Sequence, residues 1–221
     1  MNENNKAIKF LKEWRSAISQ DDRINFETYG DTNIFTSIVL KENLNNSSCI
    51  MKKISNSLYN NLDQTINASY NDHKNEDYPE YFKIDYTIWR NYTNPVPELF
   101  KKFNLNKHCS KMLLAMEHEN NGKDWTDEFA KLFSVHCELR VVVGYFDYET
   151  YEIDLLIIFL EKLTKKMLEN CTSFFGEYLL ILGLPQANFK EDSNSQAIAD
   201  GYRGFQLIDN NGDYKWEELK V

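Results

Sequence analysis

The sequence predicts an α/β protein in which a mixed central sheet is flanked by helices within one domain. Three observations lead there. From residue 49 onward, segments with apolar residues at helical spacing alternate with short β-branched runs. The 221 residues suffice for one sizeable core. A content of 42% hydrophobic and 27% charged residues is that of a folded globular chain, not a disordered one.

Taken in order, "KAIKFLKEWRSAIS" (6–19) places Ile8, Leu11, Trp14 or Arg15, and Ile18 at helical spacing. It predicts a helix packed on the flank of the sheet. Within 24–48, "NIFTSIVLKENL" fits strand and helix alike. "CIMKKISNSLYNNLDQTI" (49–66) repeats Ile50, Ile54, Leu58, Leu62 and Ile66 every four residues, an amphipathic helix ended by the polar "NASYNDHKNEDYPE". "YFKIDYTIW" (81–89) switches to period two, with Phe82, Ile84, Tyr86 and Ile88 on one face of a strand. "NPVPELFKKF" reads as a proline-opened turn and short helix. A strand through "LLAMEHE" follows, then a helix "WTDEFAKLFSV" capped by Asp124, with an apolar stripe of Trp125, Phe129, Leu132 and Phe133. "LRVVVGYF" (139–146) suits a central strand. A long helix "YEIDLLIIFLEKLTKKMLEN", a buried strand "GEYLLILGLP", a polar loop (186–200) and a hairpin turning at Asn210-Asn211-Gly212 complete the chain. Residues 1–48 are thus a helical flank, 49–146 a core, and 147–221 an extension of the same sheet.

The formal charge of −9 and pI near 5.0 carry no electrostatic sign of a nucleic-acid binder, though a local basic patch fits on an acidic protein. "MNENNKAIKFLKEW" lacks the apolar run of a signal peptide, and "IDLLIIFLEKL" is too short to span a bilayer. Cys49, Cys109, Cys137 and Cys171 stand singly, as reduced thiols do. A cytoplasmic protein without membrane contact is expected. "DNNGDYKWEEL" (209–219) has Tyr214 and Lys220 where a calcium loop needs glycine and glutamate, so a hairpin explains it better. No glycine-rich phosphate loop, serine elbow or dinucleotide fingerprint is present.

The stretch "LLAMEHENNGKDW" (113–125) begins as an apolar strand and ends with two glutamates around a histidine. Alternation puts Glu117 and Glu119 on a face with Leu113 and Ala115, and His118 with Leu114 and Met116. Buried carboxylates require a cationic partner or a wet edge. Asp85 lies 32 residues before Glu117, in the preceding strand. Pairing the two strands gathers three carboxylates at one sheet edge, an oxygen-only set of the kind that holds Mg²⁺ or Mn²⁺. The plainer reading leaves Asp85 solvated and pairs Glu117 and Glu119 with lysines. His118 points away and is better read as a core histidine satisfied by hydrogen bonds beneath the sheet than as a ligand; His73, His108 and His136 form no ligand spacing.

Over about residues 50–146 this layout resembles the PD-(D/E)XK nuclease superfamily, the restriction-endonuclease-like fold. Asp85 matches the family's Asp, "EHE" its Glu-x-Lys strand, and "WTDEFAKLFSV" and "LRVVVGYF" the helix and strand that follow. The resemblance implies a metal-dependent endonuclease hydrolysing phosphodiester bonds, with DNA as substrate. Asp85 and Glu117 would bind the metal, and Glu119 would bind it or position the attacking water. The chain departs from the pattern in carrying Glu119 where lysine is usual, and Ile84 where proline precedes the Asp. Glu-x-Glu is similar to a variant used by some restriction enzymes of the superfamily. It equally suits a non-catalytic interaction protein that keeps the fold. A fourth acidic residue among Glu27, Asp31, Glu42 and Asp63, and the oligomeric state, stay open. Lys101, Lys102, Lys107 and Lys111 precede the acidic strand, either to contact phosphates or, more simply, as a solvated loop.

Overall fold

A computed structural model of the chain describes residues 5–41, 49–59, 66–70, 84–91, 110–119, 125–169 and 175–221. Helix α1 (Lys6–Ser19) forms where expected, started by the Asn5 side chain, which accepts from the Ile8 N–H. The ambiguous stretch is helical: α2 (Phe26–Gly30) and α3 (Thr32–Leu40). Local capping decides it, because Asp31 accepts from both the Asn33 and Ile34 N–H groups and so opens α3. Helix α4 (Ile50–Leu58) is shorter than the four-residue repeat predicts. Ile66 instead opens strand β1 (Ile66–Tyr70), an element the polar composition conceals.

Strands β2 (Tyr86–Asn91) and β3 (Ser110–His118) precede helix α5 (Trp125–Phe133) and strand β4 (Leu139–Tyr145). Helix α6 (Ile153–Leu168), strand β5 (Glu177–Gly183), helix α7 (Ser195–Asp200), and strands β6 (Tyr202–Asn210) and β7 (Asp213–Leu219) follow. The turn between β6 and β7 has φ of 60° at Asn211 and 91° at Gly212, the left-handed pair that a two-residue hairpin needs. The polar loop at 186–200 contains α7, capped by Asn194. The proline-opened helix, Leu62, the Asp124 cap, Glu42, Asp63, Cys109, Cys171, His73, His108, Lys101, Lys102 and Lys107 lie outside the described residues.

Among the described residues the seven strands form one sheet in chain order, β1 to β7. The pairs β1–β2, β2–β3, β5–β6 and β6–β7 are antiparallel; β3–β4 and β4–β5 are parallel. This is the mixed α/β sheet expected. The two parallel steps are bridged by α5 and α6, as crossovers require.

The sheet separates two cores. Helices α1 to α4 cover one face, with Phe10, Trp14, Phe35 and Ile54 against Ile88, Met116, Val141 and Ile181. Helices α5 and α6 cover the other, with Trp125, Phe129, Leu156 and Leu160 against Ala115, Val142, Leu180 and Phe205. One register shift departs from simple alternation. Ile88 pairs with Leu114 and Trp89 with Met112, leaving Leu113 as an extra residue in β3. Leu113 therefore packs with Leu114 in the α1 core, not with Ala115 on the Glu117 face. Ile84 similarly joins the α5 core, opposite Tyr86 and Ile88, because β2 begins only at Tyr86.

Cys49 and Cys137 are buried free thiols, and burial pushes the Cys137 thiol up to about 11. Among the described residues no helix is long and apolar enough to cross a membrane.

Candidate functional site

The antiparallel ladder of β2 and β3 ends at the Tyr86–Met116 pair, so Asp85 and Glu117 are the next residues on each strand. Side chains take over there from the backbone ladder. The Asp85 Oδ2 accepts the His118 N–H at 2.8 Å, and Glu117 Oε2 accepts the Asp85 N–H at 3.4 Å. Both carboxylates are thereby fixed against the strand ends, and the two positions singled out in the sequence stand side by side. Glu119 follows β3 directly; its N–H donates to Val143 O at 2.9 Å, and the residue is half-buried.

The third participant is a lysine that strand alternation does not reveal. Helix α5 lies close over β4, its Trp125 resting where Gly144 has no side chain. That seating carries Lys131, in the last turn of the helix, over the sheet. Its Nζ is 2.7 Å from Glu117 Oε1 and ion-paired to Glu128 as well. The approach to Glu117 Oε1 is a charge contact, outside hydrogen-bond geometry. A signal was present in "WTDEFAKLF": Glu128 and Lys131 sit three apart beside the apolar stripe, at its border with solvent.

Glu117 is only 2% exposed. Burial, then the neighbouring Asp85 charge, drives its carboxyl up to about 9, against the opposing pull of Lys131. Burial works to lower the Lys131 ammonium, but Glu117 and Glu128 outweigh it and the net shift is upward. These two tendencies compete, since each partner's shift presumes a charge on the other. The upward shift of Glu117 prevails: one ammonium is shared between Glu117 and Glu128, and Asp85 adds a further negative charge. A cluster of three carboxylates and one lysine balances by taking up a proton or a cation.

On the opposite face, the His118 ring lies in the α1 core, 6.1 Å from Trp14 and 5.6 Å from Phe35 between ring centres. Its Nε2 is 3.4 Å from the Tyr145 hydroxyl, and Nδ1 has no hydrogen-bond partner among the described residues. Burial lowers its pKa to about 4, so the ring is neutral near pH 7. The ring lies in the core as expected, but among the described residues its Nδ1 lacks the expected hydrogen bond, and its contribution to the site is the backbone N–H on Asp85. His136 stacks on Phe175 at 5.0 Å.

Lys111 stands at the other end of β3 from the carboxylates, 2.5 Å from Glu138. It does not flank the pair, as a phosphate-contacting role beside the site requires. Glu27 and Asp31 belong to α2 and the start of α3; Asp31 is occupied in capping. Among the described residues no three His, Cys, Asp or Glu side chains are grouped to hold a metal ion. Asp85 and Glu117 therefore stand as a pair, with Glu119 beyond the end of the strand. Compared with protein families, curated proteins and solved structures, the chain matches none.

Proposed function

We propose that the protein is a metal-dependent, endonuclease-like hydrolase of phosphodiester bonds, with DNA as the substrate that its sequence resemblance implies. The observation carrying this reading is the side-by-side Asp85 and Glu117 with the Lys131 ammonium at the same spot. The lysine missing from position 119 has a counterpart on α5. The donor set fits Mg²⁺ or Mn²⁺: it is oxygen-only, and such ions commonly take one or two carboxylates, completing their shells with waters and phosphate oxygens. Asp85 and Glu117 would hold the ion, which when bound supplies Lewis-acid polarisation of the phosphodiester and a more acidic water.

The protein's own groups do the rest. The His118 N–H keeps Asp85 oriented. Glu117, driven towards its neutral form by burial, would release its proton on holding a cation. Lys131 offsets charge growing on phosphate oxygens. Glu119, just past the end of β3, would be the carboxylate that orients a water. With purified protein, nicking of supercoiled plasmid should require Mg²⁺ or Mn²⁺. It should fall at least a hundredfold in Asp85→Asn and Glu117→Gln, both remaining folded, as expected for losing groups of the reacting centre (on the order of 10²–10³ each). Cleavage that persists in chelator, or in either variant, sinks the reading.

One observation favours a second reading, a non-catalytic interaction protein with the same core. Both carboxylates already have partners, Glu117 in Lys131 and Asp85 in the His118 N–H. Thermal melts with Mn²⁺ separate the two. The enzyme reading requires a rise in midpoint that is lost in the double variant Asp85→Asn/Glu117→Gln. An unchanged midpoint at saturating metal favours the interaction protein.

A further inference from the structure

Helix α6 buries Leu156, Leu160 and Thr164 against the sheet. Its opposite side carries a second apolar stripe: Tyr151 and Leu155 are each 61% exposed, Ile158 46% and Phe159 45%. Leu155, Ile158 and Phe159 in adjoining turns of the helix, with Tyr151 just before its start, form a patch unlike a lone exposed leucine. Glu152 and Asp154 lie at the start of the helix, and Lys162 and Lys165 towards its end with Glu161 beside them.

We propose that this stripe is a two-fold interface with a second copy of the chain, α6 packing antiparallel on α6 across the Ile158–Phe159 step. A two-fold interface must be complementary to itself, and this one is in both shape and charge. Positions equidistant from that step face one another. Ile158 meets the partner's Phe159, and Leu155 lies along the aliphatic stem of the partner's Lys162. Glu152 and Lys165, six residues to either side, then form two symmetry-related ion pairs. Glu152 is free for this, since its side chain makes no capping hydrogen bond. Among the described residues neither Glu152 nor Lys165 has an ion-pair partner within its own chain. A parallel arrangement would set glutamate on glutamate and lysine on lysine. An unrelated partner would have no reason to match this symmetry.

Sedimentation velocity over a range of concentrations tests the interface. The parent chain should show a concentration-dependent monomer–dimer equilibrium. Leu155→Asp should abolish it with circular dichroism unchanged, and with melting unchanged at concentrations where the parent is monomeric, because position 155 is exposed in the monomer. Glu152→Lys and Lys165→Glu should each weaken self-association severalfold, since the altered pair occurs twice. Mixed in equal amounts they should recover it, because both cross-chain pairs are then opposite in sign. A parent chain still monomeric at roughly 100 μM, where even modest affinities populate a dimer, overturns the proposal and leaves the stripe to a different protein. So does a dimer indifferent to Leu155→Asp, or a mixture no tighter than either variant alone.

Discussion

Glu117 meets Lys131 through one oxygen and the Asp85 N–H through the other, in a place where a full negative charge is poorly solvated. Its folded pKa near 9 lies above its ordinary value of 4.5, so the native state holds a proton that the unfolded chain has released across that interval. Stability from this group is thus fully present below about pH 4.5 and declines as pH rises towards 9. Glu117→Gln, which imitates the neutral carboxyl, should be more stable than the parent at pH 8. Urea titrations at pH 5 and pH 8 should show the difference shrinking at the lower pH. His118 acts in the other direction: its pKa is depressed to about 4 from 6.5, so the unfolded chain binds a proton first. Its contribution is present above pH 6.5 and lost as pH falls towards 4, and His118→Phe should remove that slope from the acid limb. Asp85, Glu117 and the inward turn of His118 were legible because strand alternation assigns faces from sequence alone. Lys131 was not, because its position depends on where α5 lands on the sheet.

That landing is set at the level of elements by two close fits. A Cβ on Gly144 would come within 2.7 Å of Trp125 Cβ, so the bare strand is what lets α5 approach β4. Gly144→Ala should cost about 1–3 kcal/mol in urea unfolding by overpacking this contact. It should also shift Lys131 and weaken any metal-induced stabilisation. At the far end of α5, the buried Arg140 guanidinium donates to the carbonyls of Leu132, Val135 and Phe175. It satisfies helix-end acceptors that apolar surroundings would otherwise strand. Arg140→Met should leave them unmet and cost about 2 kcal/mol or more, as unsatisfied buried polar groups do. Long amphipathic helices and β-branched runs could be placed from periodicity. The α3 stretch could not, because its decision lies in Asp31 capping. Strand β1 could not, because the four-residue repeat of α4 runs on into Ile66 and hides the alternation of Ile66, Ala68 and Tyr70.

For the molecule as a whole, the centre of the sheet carries helices on both faces, while the rim does not have this cover on every side. Strand β4 is buried along its entire length and β5 nearly so; β7, at an edge, is largely open. Native-state hydrogen exchange should find the slowest amides in β4 and β5, opening only with global unfolding, and faster exchange in β7. The alternation of segments was enough to announce an α/β protein with a mixed sheet. Strand order and the switch from antiparallel to parallel pairing were not readable, since they depend on which edges meet across long separations. The extra Leu113 in β3 gives this architecture an unexpected tolerance. It is a phase slip in the reading frame of the strand: upstream of it the side-chain parity is independent of the parity downstream. Deleting Leu113 would make the Ile88–Leu114 and Trp89–Met112 pairs consecutive in a regular ladder, and leave Met112, Glu117 and His118 on their present faces. With the bulge kept at Leu113, a deletion between Leu114 and Glu117 would instead trade them, sending the carboxylate into the aromatic core and the imidazole towards Lys131.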